Sequence, residues 1–72
     1  MKKIPSPGAA RSHANLRAVD IAASAGISLQ TVLRCESSGL YPPWPPYRER
    51  YLAALGLWRP GQPLPDRTGR LP

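Results

Sequence analysis

The chain has no phenylalanine and only one cysteine, one histidine and one methionine. A single cysteine cannot close an intramolecular disulfide, and it excludes a zinc site built on several thiolates. With no phenylalanine and 42% hydrophobic residues in 72 positions, only a thin aliphatic core is on offer. Acidic residues are scarce, with Asp20, Glu36, Glu49 and Asp66 set against ten lysines and arginines. These four show no paired spacing of the kind an active site uses, and His13 stands alone. Gly-rich phosphate loops, nucleophile elbows and clusters of metal ligands are absent from the sequence. The expectation is a protein that is not an enzyme and needs no cofactor and no metal. No apolar run reaches membrane-spanning length, and Lys2-Lys3 is not followed by the apolar core of a signal peptide. A cytoplasmic protein is expected, associated with the nucleoid when bound to DNA.

What the chain does have is proline, ten residues of it, and a formal charge of +6. The charge favours a polyanionic partner, most simply nucleic acid, although it can also merely keep a small protein in solution. The most informative stretch is residues 16–36, which read as two short helices broken by a tight turn. Ile21, Ala22 and Ala25 recur at helical spacing before Gly26, and Val32 and Cys35 do so after it. Gly26 can take the left-handed conformation that ends a helix, and Ser28 stands where a side-chain oxygen caps the next one. Two helices so arranged form a helix-turn-helix, whose second helix typically lies in the major groove of DNA.

This run resembles the lambda-repressor-like, or Xre-type, helix-turn-helix family, whose pattern is Leu-x-x-x-x-Leu-Ala-x-x-Ala-Gly-Val-Ser-x-x-Thr-Ile-x-x-x-Glu. Leu16, Ile21, Ala22, Ala25, Gly26, Ile27, Ser28, Thr31, Val32 and Glu36 fill those positions. Arg11 and the Pro43…Leu55-Gly56-Leu57 ending extend the likeness over roughly residues 7–57, with residues 16–36 its specific part. The chain departs from the pattern in three places. Arg17 stands where the family has Ser, Thr or Asn, Pro5 and Pro7 shorten the first helix, and Leu40 to Pro46 holds four prolines where a fourth helix would lie. The resemblance implies an all-α fold: a small four- to five-helix domain with a Pro-rich connector and flexible tails. It implies double-stranded DNA as partner and a homodimer as the usual state. Base-reading positions map onto Leu29, Gln30 and Arg34, and Arg11 and Glu36 map onto positions that pair. Compact regulators of bacteriophages and other mobile elements are of this size.

Along the chain, residues 1–6 are expected to form a flexible basic arm and residues 7–58 the domain. The first helix starts at Pro7 and reaches about Ala14. Helix two is placed at 17–25, the recognition helix at 29–37 and a last helix at 46–55, with Pro46 in its first turn. Tyr41-Pro-Pro-Trp-Pro-Pro46 should be extended and rigid, since proline fixes its own torsion and restricts the residue before it. It serves better as a stiff connector than as a ligand for aromatic grooves. Residues 59–72 hold four prolines, two glycines and three arginines with little to bury, and are expected to be disordered.

The chemistry of helix three suits base reading. Gln pairs with adenine, Arg with guanine, and Leu touches a thymine methyl. Ser28, Thr31 and Arg17 are expected on the DNA backbone. Tyr47, Tyr51, Leu55 and Trp58 offer more large apolar surface than a small monomer needs, and with Trp44 they suggest a dimer interface. Two functions fit. The first is a sequence-specific DNA-binding transcriptional regulator, a repressor acting as a dimer on an inverted repeat. The second is an interaction protein that inhibits a host protein through the outward Leu29 and Leu33 and the Tyr/Trp-Pro segment.

Overall fold

Proline and glycine set the helix ends in the computed structural model, which describes residues 3–72; Lys2 of the expected basic arm lies outside them. Pro7 opens α1 (Pro7–His13) in the first helical turn, where its missing N–H costs nothing. The helix stops at Ala14, and Asn15 adopts a positive φ of 56°. Next comes α2 (Ala18–Ala25), ended by Gly26 at φ 69° with its amide on the Ala22 carbonyl. Three residues later α3 (Leu29–Ser38) begins behind Ser28, whose hydroxyl oxygen accepts the Thr31 amide at 3.1 Å. Pro45 and Pro46 fill the first two positions of α4 (Pro45–Ala54). Both lie where helix amides have no intrahelical partner, so the helix starts one residue before the expected Pro46. The described residues contain four helices, no strand and no fifth helix in the Pro-rich connector. None of the helices is long and apolar enough to cross a membrane.

The core is small, and tyrosine does the work of the missing phenylalanine. Ile21, Val32, Tyr41, Tyr51 and Leu52 are fully buried, with Ala10, Ala22, Cys35 and Leu55 around them. α2 packs against both α3 and α4, and α1 against α3. Tyr41 and Tyr51 meet edge to face, with ring centroids 5.5 Å apart and an angle of 88° between planes, a favoured geometry for aromatic pairs. Tyr51 and Leu55 were expected on a dimer interface, but they face inward and belong to this core. A chain with so few large apolar residues has none to spare from its own interior. Tyr47 is exposed and Trp58 half-buried, its indole N–H donating to the Gln62 carbonyl at 3.1 Å.

The expectation of a disordered tail and, for its described residues from Lys3 on, of a flexible arm is corrected. The Ile4 amide donates to the Gly69 carbonyl at 2.8 Å, and Lys3 and Arg70 form one isolated antiparallel bridge. The Tyr41 amide donates to the Arg67 carbonyl at 2.7 Å. Pro65 is fully buried, and its carbonyl accepts from Arg48 Nε at 2.8 Å. The Asp66 carboxylate closes the last turn by accepting from the amides of Thr68 and Arg70 and from the Thr68 hydroxyl. At Gly69, with φ 87°, an added Cβ would meet Ile4 Cγ1 at 2.9 Å, so the crossing of the two chain ends requires glycine. Composition suggested disorder because it counted apolar side chains alone. Proline has little conformational entropy to lose on folding, and backbone bonds from elsewhere hold the segment.

The two core tyrosines differ at the hydroxyl. Tyr41 Oη donates to the Pro5 carbonyl at 2.7 Å, whereas Tyr51 Oη is buried without a partner among the described residues. Burial pushes the Tyr41 hydroxyl up to about 12, and Tyr51 is raised further, again chiefly by burial. Tyr51→Phe should therefore leave stability unchanged or raise it by up to about 1 kcal/mol, because it removes an unpaired polar group. Tyr41→Phe should cost about 1 kcal/mol by stranding the Pro5 carbonyl. Urea unfolding of the two variants beside the parent checks the contrast.

Candidate nucleic-acid interface

Helical periodicity divides α3 into a buried edge and a broad outward face. At about 100° per residue, Val32 and Cys35 fall on the inner side, and both are buried. Leu29, Leu33, Gln30 and Arg34 fan across the opposite side, and all four are exposed. Leu29 keeps 44% and Leu33 51% of its surface, high for leucines one turn apart on a single helix. The three residues expected to read bases, Leu29, Gln30 and Arg34, are thus brought together on one surface that the fold leaves unused.

The helix start is orderly. Ser28 and Thr31, both expected on the DNA backbone, are exposed, and their hydroxyls lie 2.8 Å apart. Ser28 is engaged as the cap, yet a hydroxyl oxygen has two lone pairs and one proton to share. Arg17 precedes α2 and is solvent-facing, but its guanidinium rests on Asp20, with Nη2 3.2 Å from Oδ1. The Asp20 carboxylate also accepts the Arg17 backbone N–H at 2.9 Å. This is one half of a capping box, and it is the half available here, because arginine has no acceptor to return the bond. The Arg17 side chain holds Asp20 below the usual carboxylate range, and the Arg17 guanidinium is itself raised by that bond. Part of the positive charge assigned to DNA is therefore compensated within the chain.

One flank of α3 is fixed by the expected Arg11–Glu36 pair. Arg11 Nη2 donates to Glu36 Oε1 at 3.0 Å, Nε donates to the other oxygen, and Nη1 reaches the Leu16 carbonyl at 3.0 Å. The bond to Glu36 raises the Arg11 guanidinium, against a smaller opposing effect of burial. A bidentate fork of this kind sets orientation as well as energy. It joins α1 to α3 and, through the Leu16 carbonyl, to the start of α2. The side chains keep 26% and 15% of their surface, so the pair is partly buried, as expected.

Sequence reasoning missed the other flank. There α3 borders an open groove of about 450 Å³, lined also by Pro42, Pro43, Trp44 and Tyr47 and by Arg67. Trp44, the residue before Pro45, keeps 68% of its surface. Arg50 lies over the Tyr47 ring, 5.7 Å from its centroid, a cation–π arrangement. The only sequence signal was the Tyr/Trp interleaving of the connector. Arg67 lay in the segment read as disordered, 33 residues from Arg34 in the chain. The Cys35 thiol borders the same groove but is buried; burial raises its pKa while Arg67 draws it down. No group of three or more His, Cys, Asp and Glu side chains that could hold a metal occurs among the described residues.

Compared with known proteins, the chain matches no family model, no curated protein and no solved structure.

Two outcomes follow from this geometry. Glu36→Gln keeps the shape but loses the charge and should cost ~1.5–3 kcal/mol, the range for hydrogen bonds to a charged group. Residual solvent keeps it below the ~3–5 kcal/mol of a fully buried pair. The shift of the urea midpoint measures it. Cys35, buried and with a raised pKa, should react with iodoacetamide at pH 7 far more slowly in the native protein than in 6 M guanidinium. Equal rates in the two conditions would place the thiol at the surface.

Proposed function

We propose that this protein is a sequence-specific DNA-binding regulator that lays α3 in the major groove. The observation that carries the reading is the outward face of α3. Gln30 and Arg34 sit one turn apart on an exposed helix, and these are the residue types that pair bidentately with adenine and guanine. Leu29 and Leu33 on the same face suit thymine methyl groups. The order of α2, the Gly26 turn and α3 supports the finer reading of a lambda-repressor-like helix-turn-helix domain. Three of the four acids support the charge argument: Glu36 and Asp20 are in ion pairs, and Asp66 is engaged by its own turn. A helix seated in the groove blocks other proteins from the same bases, so occlusion, as a repressor, is the simplest action for this domain. Two copies on an inverted repeat would place α3 in successive turns of the groove, about 34 Å apart. Of the apolar residues expected at such a contact, Tyr51 and Leu55 are taken by the core, which leaves the exposed Trp44 and Tyr47 and the half-buried Trp58.

A second reading draws on the same leucines. The exposed Leu29 and Leu33 stripe also fits a protein partner, which would make the chain a small inhibitor of another protein. Salt separates the two readings. Phosphate-dependent binding weakens by about 0.9 log units per log unit of salt for each phosphate neutralised, whereas an apolar interface barely responds.

The test selects duplexes from a random library and titrates variants against the selected and a scrambled duplex at several salt concentrations. Arg34→Ala should cost roughly 1–3 kcal/mol on the selected duplex and relax choice at one base pair. Gln30→Ala should do the same at a neighbouring base. Arg17→Ala should weaken both duplexes alike and lower the salt slope by about one or less, given its bond to Asp20. Equal losses on both duplexes for Arg34→Ala and Arg17→Ala would put the protein-binding reading ahead.

A further inference from the structure

We propose that the groove between α3 and the Pro-rich connector seats the sugar–phosphate backbone of one DNA strand, with Arg67 and Trp44 as its gripping residues. The inference rests on the DNA-binding reading and extends it to a surface that, Arg34 apart, base reading does not use. An α-helix with its side chains is about 10–12 Å across and the major groove about 12 Å wide. A helix docked there must therefore have a strand running along each of its flanks. On one flank of α3 the Arg11–Glu36 pair fills the space with a neutralised ion pair. On the other lies the open groove, and Arg34 stands at the boundary between it and the outward face.

The groove is built for a phosphate backbone in three respects. Its walls carry the guanidinium groups of Arg34 and Arg67, and no acidic side chain lines it. Ser28 and Thr31 add a hydroxyl pair at the start of the α3 wall, whose second proton is uncommitted and suits a phosphate oxygen. The lining also presents Trp44 and Tyr47, flat surfaces that suit the apolar face of a deoxyribose. Both gripping residues are held in place before any ligand arrives. Trp44 is flanked by Pro43 and Pro45, and the Arg67 carbonyl is bound by the Tyr41 amide at 2.7 Å. Rigid presentation lowers the entropy lost on binding. The Arg67 side chain makes no hydrogen bond to a described residue, so its charge is free for a phosphate.

The experiment uses the full chain and a fluorescently labelled random-sequence duplex of 20 base pairs, titrated between 50 and 300 mM salt. Arg67→Gln should lower the salt slope by about 0.9, and Trp44→Ala should weaken binding severalfold at every salt with the slope unchanged. Circular dichroism confirms that both variants stay folded. A third variant, Trp58→Phe, leaves Trp44 as the sole tryptophan, and its emission should change at saturating duplex. If the parent binds the duplex but both groove variants bind equally well and Trp44 emission stays constant, the groove proposal is overturned and the DNA reading survives. If the parent binds no duplex even at 50 mM salt, the DNA reading fails and the groove proposal with it. A Trp44 response to poly-glutamate but not to the duplex would overturn the proposal in favour of an acidic protein partner.

Discussion

Three proline carbonyls converge on one guanidinium. Arg48, on α4, donates from Nη1 to Pro42 at 3.0 Å and to Pro43 at 2.9 Å, and from Nε to Pro65 at 2.8 Å. A proline-rich chain has a standing difficulty: each proline keeps its acceptor while losing its donor, so prolines of one segment cannot pair with those of another. Arginine offers five donors in a fixed fork and accepts nothing, which makes it a natural complement. The connector and the C-terminal segment are each tied to α4 through this side chain. Pro42 and Pro65, the inner residues of those segments, are buried as a result. Without such a donor the connector would be held through Tyr41 alone, and the groove wall formed by the residues after it would lose its tie to α4.

The clasp also explains how so small a core suffices. The helices alone bury a few alanines, Ile21, Val32, Leu52 and Tyr51. Tyr41 comes from the connector, and its amide is bound by the C-terminal segment while its hydroxyl is bound by the N-terminal one. One residue therefore joins three non-helical segments to the helical core. Ile4, Leu64 and Trp58 pack against that core from outside. A domain short of large apolar residues has used the chain on either side of its helices as a covering layer, and proline keeps the entropic cost of ordering that layer low.

The helical pair at the centre was legible in the sequence because each of its signals is local. Periodicity placed Ile21, Ala22, Ala25, Val32 and Cys35 inward, Gly26 and Ser28 marked the break, and the structure keeps those boundaries to within a residue. The Arg11–Glu36 pair followed from a family resemblance and is formed. The covering layer was not legible. Nothing in the neighbourhood of Arg48 in the sequence names three carbonyls up to 17 residues away. Tyr51 and Leu55 were placed at a dimer surface because the last helix and Trp58 offer more large apolar surface than so small a monomer was expected to need. Their burial depends on Tyr41 and α2 closing over them, which is tertiary information. Trp44 and Arg67 meet at one groove for the same reason.

The division of labour among the arginines gives the molecule its logic. Arg11 and Arg48 are half-buried and hold elements together, one through a carboxylate and one through carbonyls. Arg17 is held by Asp20 at the mouth of α2. Arg34, Arg50, Arg59, Arg67 and Arg70 are exposed and take no carboxylate partner in an ion pair among the described residues, and three of them, Arg34, Arg67 and the Arg50 that lies over Tyr47, stand at or beside the groove next to α3. Charge in this chain is therefore sorted by position. The cations that build the fold are neutralised or shared within it, and of those left free Arg34 and Arg67 border the groove beside the helix face that the fold does not use. A surface of that kind weakens folding through self-repulsion, which a polyanion lying across it would relieve.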